Sequence, residues 1–503
     1  MENNQIHVMF LPFLAPGHMM PMVDIARLLA AHDLRVTLIT TTENAERFAS
    51  SIRRDAESGM IISLELLRFP WADAGLPEGC ENMLNASTPN MTLRVIRGIE
   101  MLQPQIKHIF VEQKPDAIVS DYLFPWTLEV ATELGIPRFA FSGSGFFNLC
   151  VANSIERFRP HEKVTGESDP FVVPGLPDEV SLTKSQLPDF AKSLSAFSDL
   201  FHKLKEAERD SFGLLMNSFY ELEADYADHF TKIMGIQTWI LGPVSLFNRQ
   251  KLDKKCRGGK SSVCEEDCLQ WLDSKNPDSV LYACFGSLVR FSKDQIEEIA
   301  RALKNSGVYF IWVLGKVIQM ENVQETDSLD EWWLPDGYEN EIAATGRGMI
   351  IKGWASQMII LEHPAIGCFL THCGWNSILE GICAGVPFLT WPIFAEQFYN
   401  EKLVTQVLNI GVSVGNETWK IWATQETPLI SRVKIEKAIH IVMGNSLQFQ
   451  ESSQRRERVT RLAELAKSSV RIGGSSYTDL EDLIETIRTL KYASRLNNCV
   501  QEQ

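Results

Sequence analysis

Basic residues are in deficit: 48 Lys and Arg face 64 Asp and Glu, a formal charge of −16 over 503 residues. Nucleic acid and anionic membrane surfaces reward basic proteins, so neither is expected as a main partner. Cysteine is sparse, ten in all, which excludes a disulfide scaffold. Cys284, Cys368, Cys373 and Cys383 fall in or beside apolar stretches and are expected as small core residues. Cys256, Cys264 and Cys268 invite a zinc reading, but their segment is charged and offers no matching histidine pair. No run approaches the roughly 18 uninterrupted apolar residues of a spanning helix. The N-terminus has no basic region, and its apolar run from Val8 to Pro16 soon meets Gly17 and His18, so a strand is expected there rather than a signal peptide. The cytosol is the expected compartment.

What is present is an alternation of short apolar runs with amphipathic segments. "IHVMFLPFLA", "RVTLITT", "DAIVSD" and "PRFAFS" read as strands, separated by helical patterns such as Met20 to His32, which signals a parallel sheet. A second series follows with "SVLYACFGS", "VYFIWVLG", "GMIIKGW", "IGCFLTHCG" and "VPFLTWP". The fold class expected is α/β, with an N-terminal half over 1–241, a polar linker over 242–268, a second half over 269–454, and terminal helices with a frayed tail over 455–503. Residues 317–346 read as a long acidic loop whose "DEWW" packs its tryptophans on a neighbour.

Open α/β sheets bind ligands beyond the carboxyl ends of their strands. "THCGWNSILEGICAGVP", 371–387, stands at such a place. If Asn376 or Ser377 opens the helix, its first N–H groups and positive dipole end form an anion site without a basic side chain. Gly374 permits close backbone approach, His372 can donate from its ring, and Ser377 adds a hydroxyl. A plain helix cap would use the same residues, but Glu380 lies one turn beyond Asn376 on the same face, placed to accept from a ribose diol. Trp354 and Gln357 follow another strand, where an indole could stack on a base. Glu396 and Gln397 follow a third, and a carboxylate beside an amide suits sugar hydroxyls.

The stretch 354–397, "WASQMIILEHPAIGCFLTHCGWNSILEGICAGVPFLTWPIFAEQ", closely resembles the 44-residue signature box of plant family 1 UDP-dependent glycosyltransferases, and "FGSLVRFS" and "EQFYNEKLV" on either side resemble it too. The box contains no Lys or Arg, which fits a dipole-based diphosphate site. The resemblance implies a GT-B architecture, two Rossmann-like domains with parallel sheets facing across a cleft. It implies that Trp354, with Ala355 beside it, holds uracil; that Gln357 and Glu380 hold the ribose; and that Ser287, His372, Gly374, Asn376 and Ser377 hold the diphosphate. Trp375, Glu396 and Gln397 should face the sugar, and a final Gln favours UDP-glucose over UDP-galactose.

The family draws its base from a Gly-His-x-x-Pro segment, which here reads Gly17, His18, Met19, Met20, Pro21. A neutral imidazole can take a hydroxyl proton, and a carboxylate on its far nitrogen orients the ring. Asp121, ending "DAIVSD", matches the family's orienting aspartate; Asp116 should face away from the cleft. The reaction implied is an inverting displacement from UDP-glucose onto an acceptor hydroxyl. No metal or other cofactor is expected, in keeping with the absence of any Asp-x-Asp, and the protein is expected to act as a monomer.

Two positions depart from the family pattern: Ser356 stands where proline is common and Cys368 where glycine is common. Losing a turn proline loosens a loop by about 0.4–1 kcal/mol in unfolded-state entropy. The acceptor pocket should come from N-terminal loops, with Phe13, Leu14, Met19, Trp126, Phe146 and Phe147 as candidate walls. "PGLPDEVSLTKSQLPDF" and the N-terminal stretch look most similar to the branch acting on triterpenoid and steroidal aglycones or saponins, with flavonoids and other phenols as the alternative acceptor. Competing readings are a dinucleotide oxidoreductase, for which "GSGFFN" (143–148) lacks the third glycine, a UDP-sugar epimerase, and a binder of hydrophobic metabolites that would not need His18 and Asp121.

Overall fold

The computed structural model describes residues 5–86, 88–192, 196–248, 253–254, 261–317, 332–421, 428–444 and 449–501. The first apolar runs form a seven-stranded sheet of β1 (His7–Leu11), β2 (Arg35–Thr41), β3 (Ile62–Leu67), β4 (Ala117–Asp121), β5 (Arg138–Ser142), β8 (Gly213–Met216) and β9 (Thr238–Ile240). Its order is β3-β2-β1-β4-β5-β8-β9 and every pairing is parallel. A small antiparallel pair, β6 (Pro170–Val172) and β7 (Ser181–Thr183), stands apart from it. The second sheet has β10 (Val280–Cys284), β11 (Tyr309–Leu314), β12 (Gly348–Lys352), β13 (Ile366–Thr371), β14 (Phe388–Thr390) and β15 (Gly411–Ser413), ordered β12-β11-β10-β13-β14-β15 and again parallel throughout.

Both sheets reverse winding direction once, between β1 and β4 in the first and between β10 and β13 in the second. At such a switch the two following connections diverge to opposite faces and leave a crevice at the carboxyl ends. His18 follows β1 and Asp121 ends β4; Ser287 follows β10 and His372 follows β13. Each half thus places its candidate chemistry at its own switch point.

The central strands are buried on both faces, which is why they read as unbroken apolar runs: β4 and β5 are buried at every position. The last helix, Ser475–Gln501, returns to the first sheet, where Leu480, Leu483, Ile484 and Ile487 join the core formed around β1, β2 and β4. It continues to Gln501, where a frayed tail was expected. Within the expected acidic loop, Tyr338–Thr345 is a helix, and Trp332 remains more than a third exposed while Trp333 packs on the second core. The linker is not structureless either: Val244–Phe247 is a short helix, and a longer one, Glu265–Asp273, begins inside it. Arg27 ties that linker down through Asn248 at 2.7 Å and Asp253 at 3.3 Å.

Cys256 lies outside the described residues, while Cys264 is exposed and Cys268 buried. Among the described residues no three His, Cys, Asp or Glu side chains gather closely enough to hold a metal. Nor is any helix among them long and apolar enough to cross a membrane.

Candidate active site

The lip contributed by the first sheet carries His18. Its helix was expected from Met20 but begins at Pro16, with Ala15 as cap. Proline suits the first helical turn because it has no N–H to leave unsatisfied. His18 is therefore held in a rigid first turn rather than a loop. Its Nδ1 lies 2.9 Å from Asp121 Oδ2. A carboxylate only accepts, so Nδ1–H donates and Nε2 keeps its lone pair for the cleft. Asp121 is fully buried and its other oxygen accepts the Leu123 N–H at 3.0 Å. Phe13 meets the imidazole edge-on at 5.7 Å between centroids and Tyr122 covers it at 6.1 Å. Burial alone would lower the His18 pKa, but the Asp121 charge, its hydrogen bond and the charge of Glu396 outweigh it and hold the pKa above 6.5. Asp116 lies at the opposite end of β4, just before its first residue, bonded to the His7 N–H and to Lys491.

Pro21, inside the same helix, cannot donate to the carbonyl four residues back. That carbonyl belongs to Gly17, and it accepts instead from Asn376 Nδ2 at 2.7 Å across the cleft. The Gly-His-x-x-Pro spacing therefore leaves one acceptor beside the base for the opposite lip to grip. Pro21→Ala restores an in-helix donor for Gly17, and kcat is expected to fall about two- to tenfold, the worth of one neutral hydrogen bond. The melting temperature should hold or rise in the same variant; an unchanged kcat would show that the grip is idle.

The second lip is built around the helix Trp375–Ala384. Gly374 caps it, so Asn376 and Ser377, expected to open the helix, occupy its second and third positions. The correction improves the anion site, because first-turn amides have no intrahelical acceptor. The Trp375 N–H acts on the Glu396 carboxylate, and those of Asn376 and Ser377 stand beside it in the first turn at the mouth. His372 is wedged between two glycines: a Cβ on Gly286 or on Gly374 would come within 2.6 Å of its ring. Burial pushes its pKa down to about 4, so it meets a ligand as a neutral imidazole. Its Nδ1 is buried with no hydrogen-bond partner among the described residues.

Gln357 Nε2 reaches Glu380 at 2.8 Å and the Ser377 hydroxyl at 3.2 Å, which joins the expected ribose and phosphate groups into one network. Trp354, Ala355 and Ser287 line the same cleft, of about 640 Å³, as do Glu396 and Gln397. Gln397 Oε1 accepts from the N–H groups of Ile393 at 3.0 Å and Phe394 at 3.1 Å, so only its NH₂ remains to be offered outward. Ser356 donates to Glu265 at 3.3 Å, pinning the turn that a proline would have stiffened. Cys368 is wholly buried in β13, far from any polar role.

Several expectations are corrected. Trp375 is among the residues lining the cleft but does not offer its indole there: the residue is 2% exposed, its Nε1 donates to the Asn217 carbonyl at 2.7 Å, and a Cβ on Gly145 would strike the ring at 2.7 Å. It is a bolt between the halves. Leu14, Met19, Phe146 and Phe147 are core residues, each at most 3% exposed, and Trp126 packs on Phe124 outside the cleft lining. Phe13 alone of the six reaches the cleft, joined there by Met20, Met83 and Leu84. Cys284, expected in the core, also lines it. The "GSGFFN" turn is closed to ligand phosphate, because Glu223 accepts the Phe147 N–H at 2.8 Å from within the protein.

Buried amides were missed. Asn217 accepts the Val244 N–H at 3.1 Å and donates to Asn376 Oδ1 at 3.3 Å. Asn400 donates to the carbonyl of Cys373 at 2.7 Å and accepts from Asn148 of the first half at 2.6 Å. Cys373 has φ of 66°, costly for a side chain with a Cβ, and Asn400 helps to hold it there. The i, i+4 spacing from Glu396 was the available signal for Asn400. Basic residues are also nearer than the box implies: Arg47, Lys254, Arg290 and Lys316 all line the cleft from outside it.

Two doubly wound sheets facing across a cleft, with a carboxylate-oriented histidine on one lip and a helix N-terminus opening on the other, make this a GT-B glycosyltransferase that uses a nucleotide-sugar donor. The profile of the UDP-glucoronosyl and UDP-glucosyl transferase family matches residues 237–418. The chain is 43% identical to an anthocyanin 3'-O-beta-glucosyltransferase of Gentiana triflora, over 96% of this chain and 98% of that protein. It is 41% identical to a soyasapogenol B glucuronide galactosyltransferase of Glycine max, over 97% of each. Among solved structures, Glycyrrhiza uralensis UGT73P12 complexed with glycyrrhetinic acid 3-O-monoglucuronide superposes with a TM-score of 0.90 at 42% identity, over 99% of this chain and 98% of that one. The chain belongs to the plant UDP-glycosyltransferases.

Proposed function

We propose that this enzyme transfers glucose from UDP-glucose, with inversion, to a hydroxyl of a triterpenoid or steroidal aglycone or saponin, giving a β-O-glucoside. The observation that carries the reading is the His18–Asp121 pair at 2.9 Å, facing Gln397 and the helix mouth across one cleft. His18 Nε2 accepts the acceptor's proton as its oxygen attacks the anomeric carbon. The bond to the diphosphate oxygen breaks from the opposite side. The transition state is oxocarbenium-like, as at other glycosidic centres. Charge growing on the departing UDP meets the amides of Asn376 and Ser377, the Ser377 hydroxyl and neutral His372, which supply stabilisation without a metal. We take the enzyme to act in the cytosol as a monomer.

The acceptor class rests on the sapogenin- and triterpenoid-directed proteins among the relatives at matching length. The Gentiana triflora relative keeps an O-glucosylated phenol as a second reading. The test is mass spectrometry of products from metal-free protein given UDP-glucose, UDP-galactose, UDP-xylose or UDP-glucuronate with triterpenoid, steroid and flavonoid acceptors. A hexosylated triterpenoid or steroid formed fastest from UDP-glucose is expected; a flavonoid product alone would move the acceptor to the phenols. Donor choice is assigned to the Gln397 amide. Gln397→His is expected to raise the galactose-to-glucose ratio several-fold, and an unmoved ratio would detach glucose preference from this residue.

A further inference from the structure

Arg47 follows the carboxyl end of β2, beside the strand that leads to His18, and lines the cleft on the first half's side. It is half-buried; its backbone N–H donates to the Asn44 carbonyl at 3.3 Å, but its guanidinium makes no hydrogen bond or ion pair with a described residue, and its Nε is out of contact with solvent. Burial holds its pKa below the usual value even though Glu43 and Glu46 act to raise it. A guanidinium remains charged at any physiological pH, so one that is partly desolvated and bonded to no side chain has donors free for an acceptor.

Glu43 and Glu46 act on Arg47 from outside the cleft lining, whereas the lining on this side is basic. Among the described residues, the titratable side chains that the first half and the linker contribute to the cleft lining are His18, Arg47 and Lys254, with no Asp or Glu. In a chain with 64 acids and 48 bases that segregation is against the composition. The two carboxylates of the cleft, Glu380 and Glu396, belong to the opposite lip. Lys254 is held by Glu362 at 2.5 Å, so Arg47 is the group with donors to spare.

We propose that Arg47 is an acceptor-specificity residue that binds a carboxylate carried by the acceptor, either an acid group of a polycyclic aglycone or a uronic acid already attached to it. The inference rests on the acceptor reading above. A guanidinium pairs with a carboxylate through two parallel N–H bonds, which fixes orientation as well as affinity. The acceptor is the source favoured over a uronate donor, because Arg47 belongs with His18, Phe13, Met20 and Met83 to the half that carries the base, whereas the helix mouth belongs to the other half.

The test compares a triterpenoid acid with its methyl ester, which differ in charge and little else, with UDP-glucose as donor. The wild-type protein should prefer the acid, and Arg47→Gln should lower the acid-over-ester ratio of kcat/KM at least about tenfold, the size of one charge-assisted bond. Arg47→Lys should keep part of the ratio. A ratio unchanged by Arg47→Gln, or a wild-type preference for the ester, overturns the proposal. A change in the UDP-glucuronate to UDP-glucose ratio with no change in the acid-to-ester ratio assigns the carboxylate to the donor and overturns it too. Calorimetric titration of acid and ester into the UDP-bound protein reads the same preference without turnover, so a failed transfer reaction and a failed Arg47 assignment give different results.

Discussion

His18→Ala is expected to lower kcat about 10²- to 10⁴-fold, the range over which a positioned general base contributes, while UDP affinity stays nearly unchanged. The two readouts separate because His18 stands on the first lip, whereas His372, Ser377 and Gln357 stand on the second. Full activity in this variant would remove the base. Asp121→Asn should lose no more than His18→Ala, since its carboxylate works only through the ring it orients. Its signature is in pH. Only the neutral imidazole accepts a proton, so kcat/KM falls as the pH drops through the His18 pKa, which stands above 6.5 chiefly because Asp121 outweighs burial. Asp121→Asn removes that charge, and the acidic limb of the profile should move to lower pH. A limb that stays in place would assign it to another group.

The second large effect concerns cohesion rather than chemistry. Trp375→Ala empties a site packed against Gly145 and removes the Nε1 bond to Asn217, and a loss of about 3–5 kcal/mol is expected by analogy with other buried aromatics. The loss should fall between the halves, because the indole belongs to the helix mouth while Gly145 and Asn217 belong to the first sheet's connections. Urea unfolding followed by far-ultraviolet dichroism and by tryptophan fluorescence should become less coincident in the variant. Trp375→Phe keeps most of the packing and should cost only about 0.5–1.5 kcal/mol, the hydrogen bond alone. Wild-type behaviour in both would mean that the halves are held together elsewhere.

The central strands were legible because they are buried on both faces and so carry unbroken apolar runs. The edges were not. β3 is buried only at its two end residues and so shows neither an apolar run nor an alternation, and β9 and β15 are three residues long, too short for any period to register. The residues proposed for catalysis and donor binding could be singled out for a different reason: they lie in short, dense motifs at strand ends. Acceptor residues carry no such mark, because an aromatic near a strand end reads the same whether it fills the core, as Phe146 and Phe147 do, or faces the cleft, as Phe13 does. Asn217 and Asn400 were hidden because a buried amide earns its place through partners more than a hundred residues away.

The return of the last helix to the first sheet sets how these enzymes could be recombined. Asp479 accepts the Ile240 N–H at 2.7 Å, Asp482 accepts from Trp239 at 2.8 Å, and Lys491 reaches the Gln5 carbonyl at 2.6 Å. A chimera cut once in the linker would join a foreign terminal helix to these partners and strip the first sheet of its own cover. The transferable acceptor module is therefore discontinuous, two pieces of chain separated by the whole donor half. A graft that carries Ser475–Gln501 along with the first sheet keeps every one of these contacts native.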